Sequence, residues 1–355
     1  MRKRRMPVHT KEERQDQPQK RKVLPAYRLK LTVDFLTNYR LSTNHGLSNN
    51  HGHYGASAIR AEAEHIFFVH VPCNQYIAQI SFHRMAYVRY FFHIGYNGFR
   101  YRGWQRQPAI ENIQQVLETT MKQVLKQEVS IMGCGRTDAM VHASQYFFHF
   151  DVEKPWDFDL LFRLNKNLPD DIAIFEILPM ENDQHARFDV TQRTYDYFIH
   201  TYKDPFLSPL SALYLFKNID LNKMKDGLSL LIKYNDFRAF CKTPDDYDHT
   251  ICNVSAAKLF SDVTGDKIRF QISANRFLGR MIRMIIGKLL EVGSGTLSID
   301  EFENYFISKQ TPRLIEPAYP QGLYLSKVVY PYLDIQPRTT FSPFVKNIAD
   351  QWVVV

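Results

Sequence analysis

Between residues 133 and 143 the chain reads GCGRTDAMVHA, with a strand-like run, SQYFFHFDV, directly behind it. One carboxylate, Asp138, stands two residues from Arg136 in a bend of small residues. Two readings fit. Asp is common in turns closed by side-chain-to-backbone bonds, and a carboxylate held beside a guanidinium is also a usable nucleophile. No second carboxylate is spaced for glycosidase-style pairing, and no GxSxG elbow is present. Cys241, His249 and Cys252 match no standard zinc spacing.

Three further groups could serve a polyanionic substrate. Arg276, Arg280, Arg283 and Gly287 fall at i, i+4, i+7 and i+11, the spacing of one helical face. No Asp or Glu occurs from Lys267 to Lys288, so that face repels itself unless an anion lies against it. In YNGFRYRGWQRQP, Arg100, Arg102 and Arg106 alternate with Tyr96, Phe99, Tyr101 and Trp104. Such interleaving suits phosphate contact with base stacking, and equally suits a surface turn whose aromatics cover a sheet. Gln105 and Gln107 tilt the choice towards a polar ligand. Tyr195, in RTYDYFIHTY, is either a core tyrosine or a phenol that stacks on a base.

These residues must be held by a folded frame, and composition allows one. The 355 residues are 45% hydrophobic and 14% aromatic, enough for a real core. No apolar run approaches the roughly 20 residues of a membrane-spanning helix. Cys73, Cys134, Cys241 and Cys252 form no CxxC pair, as in a reducing compartment, so a cytoplasmic location is expected. The net charge of +8 lies wholly in residues 1–30, with 11 Lys/Arg and 3 Asp/Glu; 34 of each sign remain beyond them. Global basicity therefore says nothing of the folded part, and any nucleic-acid site must come from clustering.

Residues 1–84 are polar and loop-like, and HIFFVHVP, the one stretch there that could be a strand, has no evident partner. A disordered basic arm, a targeting peptide and an upstream extension all fit. Glu12, Glu13 and Asp16 count against a transit peptide, and translation from Met85 is the expectation, which an intact mass would test. Beyond Met85, YVRYFFHI, SQYFFHFDV, DIAIFEILP, RTYDYFIHTY, KIRFQISA and LYLSKVVY read as strands. ENIQQVLETTMKQVLKQ, WDFDLLFRLNKNL, MKDGLSLLIKY and RFLGRMIRMIIGKLLEV read as helices. The pattern predicts an α+β fold of two similar halves, 85–190 and 191–332, sharing an extended, mainly antiparallel sheet with helices packed on it. Residues 333–355 show no clear element and read as a tail.

Six ordered blocks, GYNGFRYRGWQRQP, GCGRTDAMVHASQ, NLPDDIAI, HARFDVTQRTYDY, SANRFLGRMIRMIIGKLLEVGSG and QGLYL, resemble the TruA-type tRNA pseudouridine synthases over roughly residues 87–330. The resemblance implies isomerisation of uridine to pseudouridine in the anticodon stem-loop of tRNA, positions 38–40, by a homodimer using no metal or organic cofactor. It implies that Asp138 is the nucleophile, that Arg283 pairs with it, and that Tyr195 stacks on the target base and assists proton removal at C5. Arg136 is expected to help displace the flipped nucleotide, and Arg102, Arg106, Arg187, Arg276, Arg280 and His142 to bind tRNA. Two positions depart from the family pattern. Met140 stands where glycine is usual, and would be strained by about 1–2 kcal/mol if φ is positive there. Cys252 replaces a frequent arginine.

Overall fold

The computed structural model describes residues 66–67, 80–81, 87–216, 218–310, 316–338 and 353–355. The leader, 1–84, otherwise lies outside the described residues. Its HIFFVHVP stretch does find a partner: β1 (Ile66–Phe67) pairs antiparallel with β2 (Ile80–Ser81).

The rest builds one ten-stranded sheet. From the first half come β3 (Val88–Tyr96), β4 (Met132–Gly133), β5 (His142–Val152) and β6 (Ile172–Met180). The second supplies β7 (Gln192–His200), β8 (Ala212–Leu213), β9 (Val254–Ser261), β10 (Lys267–Ala274), β11 (Leu323–Val329) and β12 (Val353–Val354). The main path runs β12-β9-β10-β7-β11-β5-β3-β6. Most pairings are antiparallel, but β11 meets β5 in parallel, Tyr324 opposite His142, and this seam joins the two halves.

Each half has its own core. In the first, Ile113, Leu117 and Met121 of α1 (Ile113–Leu125) and Leu160 and Leu164 of α2 (Leu160–Asn167) cover Phe92, Ile94 and Phe148. In the second, α3 (Leu221–Lys233), α4 (Met281–Ser294) and α5 (Ile299–Ser308) bury Met224, Leu231, Ile285, Leu289 and Phe302 against β9, β10 and β7. Helix starts follow local chemistry. The Asn112 side chain accepts from the Gln115 amide, 2.9 Å, to open α1, and Ser298 with Glu301 forms a capping box at α5.

Three sequence expectations change. The helix predicted from Arg276 begins only at Met281, because Arg280 takes φ 62°, ψ 4°, a left-handed conformation no α-helix passes through. Arg276 and Arg280 therefore lie on a loop, and the four-residue helical stripe with Arg283 and Gly287 does not exist as such. β9 and α5 went unread: VSAAKLFS is weak in β-branched residues and draws its order from pairing along β10, whereas the α5 capping box was there to be seen. Finally, Val353–Val354 at the chain's end pairs with β9, and Arg338 donates to the Phe175 carbonyl, 3.2 Å. Among the described residues no helix is long and apolar enough to cross a membrane.

Candidate active site

Asp138 sits in the turn between β4 and β5, and neighbouring backbone grips that turn from below. The Trp104 amide donates to the Thr137 carbonyl, 3.2 Å, and the Met140 amide to the Tyr101 carbonyl, 3.0 Å. Tyr96 Oη and Thr137 Oγ1 lie 2.9 Å apart. The fit demands glycine twice. A Cβ on Gly98 would stand 1.9 Å from the Val141 carbonyl oxygen, and one on Gly103 (φ +90°) 2.4 Å from that of Thr137. The sequence YNGFRYRGW is thus the bed on which the aspartate turn rests.

The turn itself closes by the Val141 amide donating to the Asp138 carbonyl, 3.2 Å. Met140 occupies its third position with φ 64°, where a turn of this kind normally uses glycine. The strain expected from the sequence is present. Met140→Gly should therefore gain about 0.5–1 kcal/mol in urea unfolding, the left-handed penalty less the added freedom of an unfolded glycine; a lowered midpoint would show the methionine to be favoured in place.

Arg283 reaches the turn from the first turn of α4. Its Nη1 donates to Asp138 Oδ2 at 3.3 Å, while Nε donates to the Ala318 carbonyl at 2.7 Å. The Ala318 amide returns a bond to the Arg283 carbonyl, 2.8 Å, so the guanidinium is anchored to the approach to β11 and offers its far edge to the carboxylate. Gly287, one turn on, lets that segment close in: a Cβ there would meet the Glu316 carbonyl at 2.4 Å. Asp138 makes no other side-chain hydrogen bond among the described residues, and at 37% exposure it faces open space.

That space is a cleft of about 620 Å³. Val141, Leu278, Met281 and Leu323 contribute apolar surface, and Tyr195 of β7 lines it with its ring set edge-on to Phe277, centroids 5.1 Å apart. Burial pushes the Tyr195 phenol above its ordinary range, with Asp138 adding in the same direction, so it is protonated near neutral pH and a poor base. Six arginines, 136, 187, 193, 276, 280 and 283, line the cleft against two carboxylates, Asp138 and Asp246. The cationic character expected of a helix face is thus delivered by three loops, strand β7 and one helix turn.

Of the residues expected to bind tRNA, Arg136, Arg187, Arg276 and Arg280 are in this cleft. Arg102 lies in an adjoining groove that shares Asp138. Arg106 instead pairs with the buried Glu118, 3.1 Å. His142 must be corrected: it is 1% exposed, its Nδ1 accepts from the Gly98 amide at 3.1 Å, and its Nε2 then donates to the Gln321 carbonyl, 3.1 Å. Both ring nitrogens are spent on the seam between the halves, and none is left for a nucleotide. Burial drives this imidazole down to about 4. Because the unfolded chain binds its proton near 6.5, stability should be full above pH 6.5 and fall between 6.5 and 4, by on the order of a few kcal/mol. Urea midpoints across that window test this; an equally steep fall in His142→Gln would assign it elsewhere, for instance to His149, also driven to about 4.

Sequence reasoning missed Arg193, Asp246 and Tyr247. Arg193 donates to the Cys134 carbonyl at 2.7 Å and stands two residues before Tyr195, so strand periodicity alone puts both on one face. Tyr247 accepts from the Gly279 amide, 2.9 Å, and no local signal in TPDDYDH marks it. Cys252 is fully buried, and Arg276 Nη1 lies 3.1 Å from a His249 ring nitrogen. No group of three or more His, Cys, Asp or Glu able to hold a metal occurs among the described residues.

Residues 231–331 match the family model described as tRNA pseudouridine synthase. The chain is 39% identical over 246 residues to tRNA pseudouridine synthase A of Porphyromonas gingivalis, covering 68% of this chain and 97% of that protein. It is 41% identical to the Parabacteroides distasonis protein of the same name, covering 68% and 96%, and 38% identical to that of Bacteroides fragilis, covering 70% and 98%. The chain belongs to the tRNA pseudouridine synthase A family.

Proposed function

We propose that this chain isomerises uridine to pseudouridine in tRNA, within the anticodon stem-loop at positions 38–40, with Asp138 as nucleophile. The reading is carried by one juxtaposition: Asp138 and Arg283, 145 residues apart in sequence, meet at 3.3 Å beside Tyr195 in an arginine-lined cleft. In the reaction the bond from ribose C1′ to N1 breaks, C1′ bonds to C5, and C5 gives up its proton as N1 regains one. Asp138 supplies the electron pair that holds the fragment between those events. Arg283 orients that carboxylate. Tyr195, as the neutral phenol, stacks on the detached base. The uridine must leave its stack first, costing a few kcal/mol, and the arginines offset this by gripping phosphates. The protein works in the cytoplasm as a homodimer, and the fold divides functionally at 190/191, with the nucleophile in the first half and its guanidinium in the second.

Undermodified tRNA labelled with tritium at uridine C5 tests the reaction. Tritium release without free uracil is the expected result. Free uracil would mean a base hydrolase, and tight binding without release would mean a catalytically silent tRNA-binding protein or RNA chaperone on the same scaffold. The arginine grip has its own test. Arg280→Ala should lower the slope of log affinity against log salt by about one phosphate contact, and an unchanged slope would return Arg280 to plain solvent exposure.

A further inference from the structure

Arg276 and Arg280 come to the cleft on the loop between β10 and α4, and the tip of that loop is weakly held from within. Its root is tied: Asn275 Oδ1 accepts from the Asn253 amide, 2.8 Å, and from the Arg276 amide, 2.9 Å. Leu278 is buried. Gly279 and Arg280, however, are exposed. α4 then opens without a side-chain cap, on the left-handed Arg280. The Arg280 side chain makes no hydrogen bond or ion pair among the described residues. A long cationic side chain on such a tip has many positions to lose when it grips a phosphate.

A second segment supplies what the tip lacks. Tyr247 Oη accepts from the Gly279 amide at 2.9 Å, across 32 residues of sequence. The Arg276 guanidinium lies over the Tyr247 ring, 5.9 Å from its centroid, and its Nη1 stands 3.1 and 3.3 Å from the two ring nitrogens of His249. One short stretch, YDH, thus holds the loop tip by an amide and flanks its first arginine. That stretch is firmly rooted. The Phe237 amide donates to the Thr250 carbonyl, 3.1 Å, and the Cys252 amide to the Asn235 carbonyl, 2.8 Å, closing the excursion at its ends beside the fully buried Phe237 and Phe240. Arg238 pairs with Asp245 within it. Arg283 is anchored elsewhere, its Nε and its carbonyl both tied to Ala318. The phosphate grip and the aim of the catalytic guanidinium therefore rest on different parts of the chain.

We propose that Tyr247 is a positioning residue for tRNA binding: with His249 it brackets the 276–280 loop, so that Arg276 and Arg280 stand ready for phosphates before tRNA arrives. The inference rests on the synthase reading above and deepens it, by assigning the preorganisation of the arginine grip to a segment that acts through the loop.

Tyr247→Phe tests this in the full-length enzyme. It keeps the ring and removes the acceptor, and the exposed Gly279 amide then bonds water, so a melt matching wild type is expected. Amide hydrogen exchange of the free enzyme should quicken at residues 276–280 alone, and the difference should vanish with saturating tRNA. On undermodified tRNA tritiated at uridine C5, KM should rise about three- to tenfold, the scale of one lost neutral hydrogen bond read as a smaller binding-competent fraction. Filter binding should weaken by the same factor, and kcat should stay within about twofold. The slope of log affinity against log salt should hold, because both arginines still reach their phosphates once bound, in contrast to Arg280→Ala. His249→Ala should raise KM as well, and no rise there strikes His249 from the bracket. Unchanged exchange at 276–280, or quickened exchange with unchanged KM, overturns the proposal. So does exchange quickened throughout the chain, which would make Tyr247 a residue of the fold, or a fall in kcat beyond about tenfold with KM held, which would place it in the chemistry. Absence of tritium release by wild type would sink the synthase reading, while exchange and filter binding would still decide the bracket.

Discussion

Asp138→Ala is expected to cut pseudouridine formation by roughly 10⁴-fold or more, the scale on which loss of a covalent nucleophile is felt. Affinity for tRNA should not fall with it. The carboxylate is one of two anions in a cleft of six arginines, so its removal makes the site more attractive to phosphate. Stability should change little. At 3.3 Å and 37% exposure the pair with Arg283 is worth at most about 1 kcal/mol. Single-turnover tritium release, filter binding and urea unfolding of the same protein separate the three quantities. Residual turnover within tenfold of wild type, or binding weakened more than tenfold, would make Asp138 a structural turn residue and not the reaction centre.

Arg283→Ala is expected to lower kcat by about 10²- to 10³-fold, the scale on which loss of one preorganised hydrogen-bond donor at a reacting group is felt. The geometry says why lysine would not rescue it. The guanidinium works as a fork, Nε on the Ala318 carbonyl at 2.7 Å and Nη1 on Asp138. An ammonium on a flexible stem cannot hold both at once. Arg283→Lys should therefore recover part of the charge effect and little of the orientation, leaving kcat at least about tenfold down. Arg283→Ala also strands the Ala318 carbonyl, at about 1–2 kcal/mol in stability, which unfolding curves measure independently. Full activity in the lysine variant would show that charge alone, without aim, is what the aspartate needs.

Much of this protein could be read before any coordinates. The strands YVRYFFHI, SQYFFHFDV and KIRFQISA and the helix from Ile113 announce themselves, because alternation and helical period are local consequences of burying one face. The aspartate turn was equally local: Gly133, Gly135 and Asp138 ahead of a strand favour a bend. Met140 even carried its own conditional warning, and φ 64° met the condition.

Other features depended on partners distant in the chain. β9 is ordered by β10 along its whole length, and its own Ala and Lys residues do not demand extension. Arg276 and Arg280 look helical because their spacing suits a helix, yet Arg280 turns left-handed and the loop sends them to the cleft by a route periodicity cannot describe. His142 has the composition of a ligand and the surroundings of a core residue, a difference set by the Gly98 amide and the Gln321 carbonyl on opposite halves. Sequence period records which face a residue is on. Whether that face meets solvent, a carbonyl or another half of the sheet is decided only when segments 145 residues apart come into contact, as Asp138 and Arg283 do.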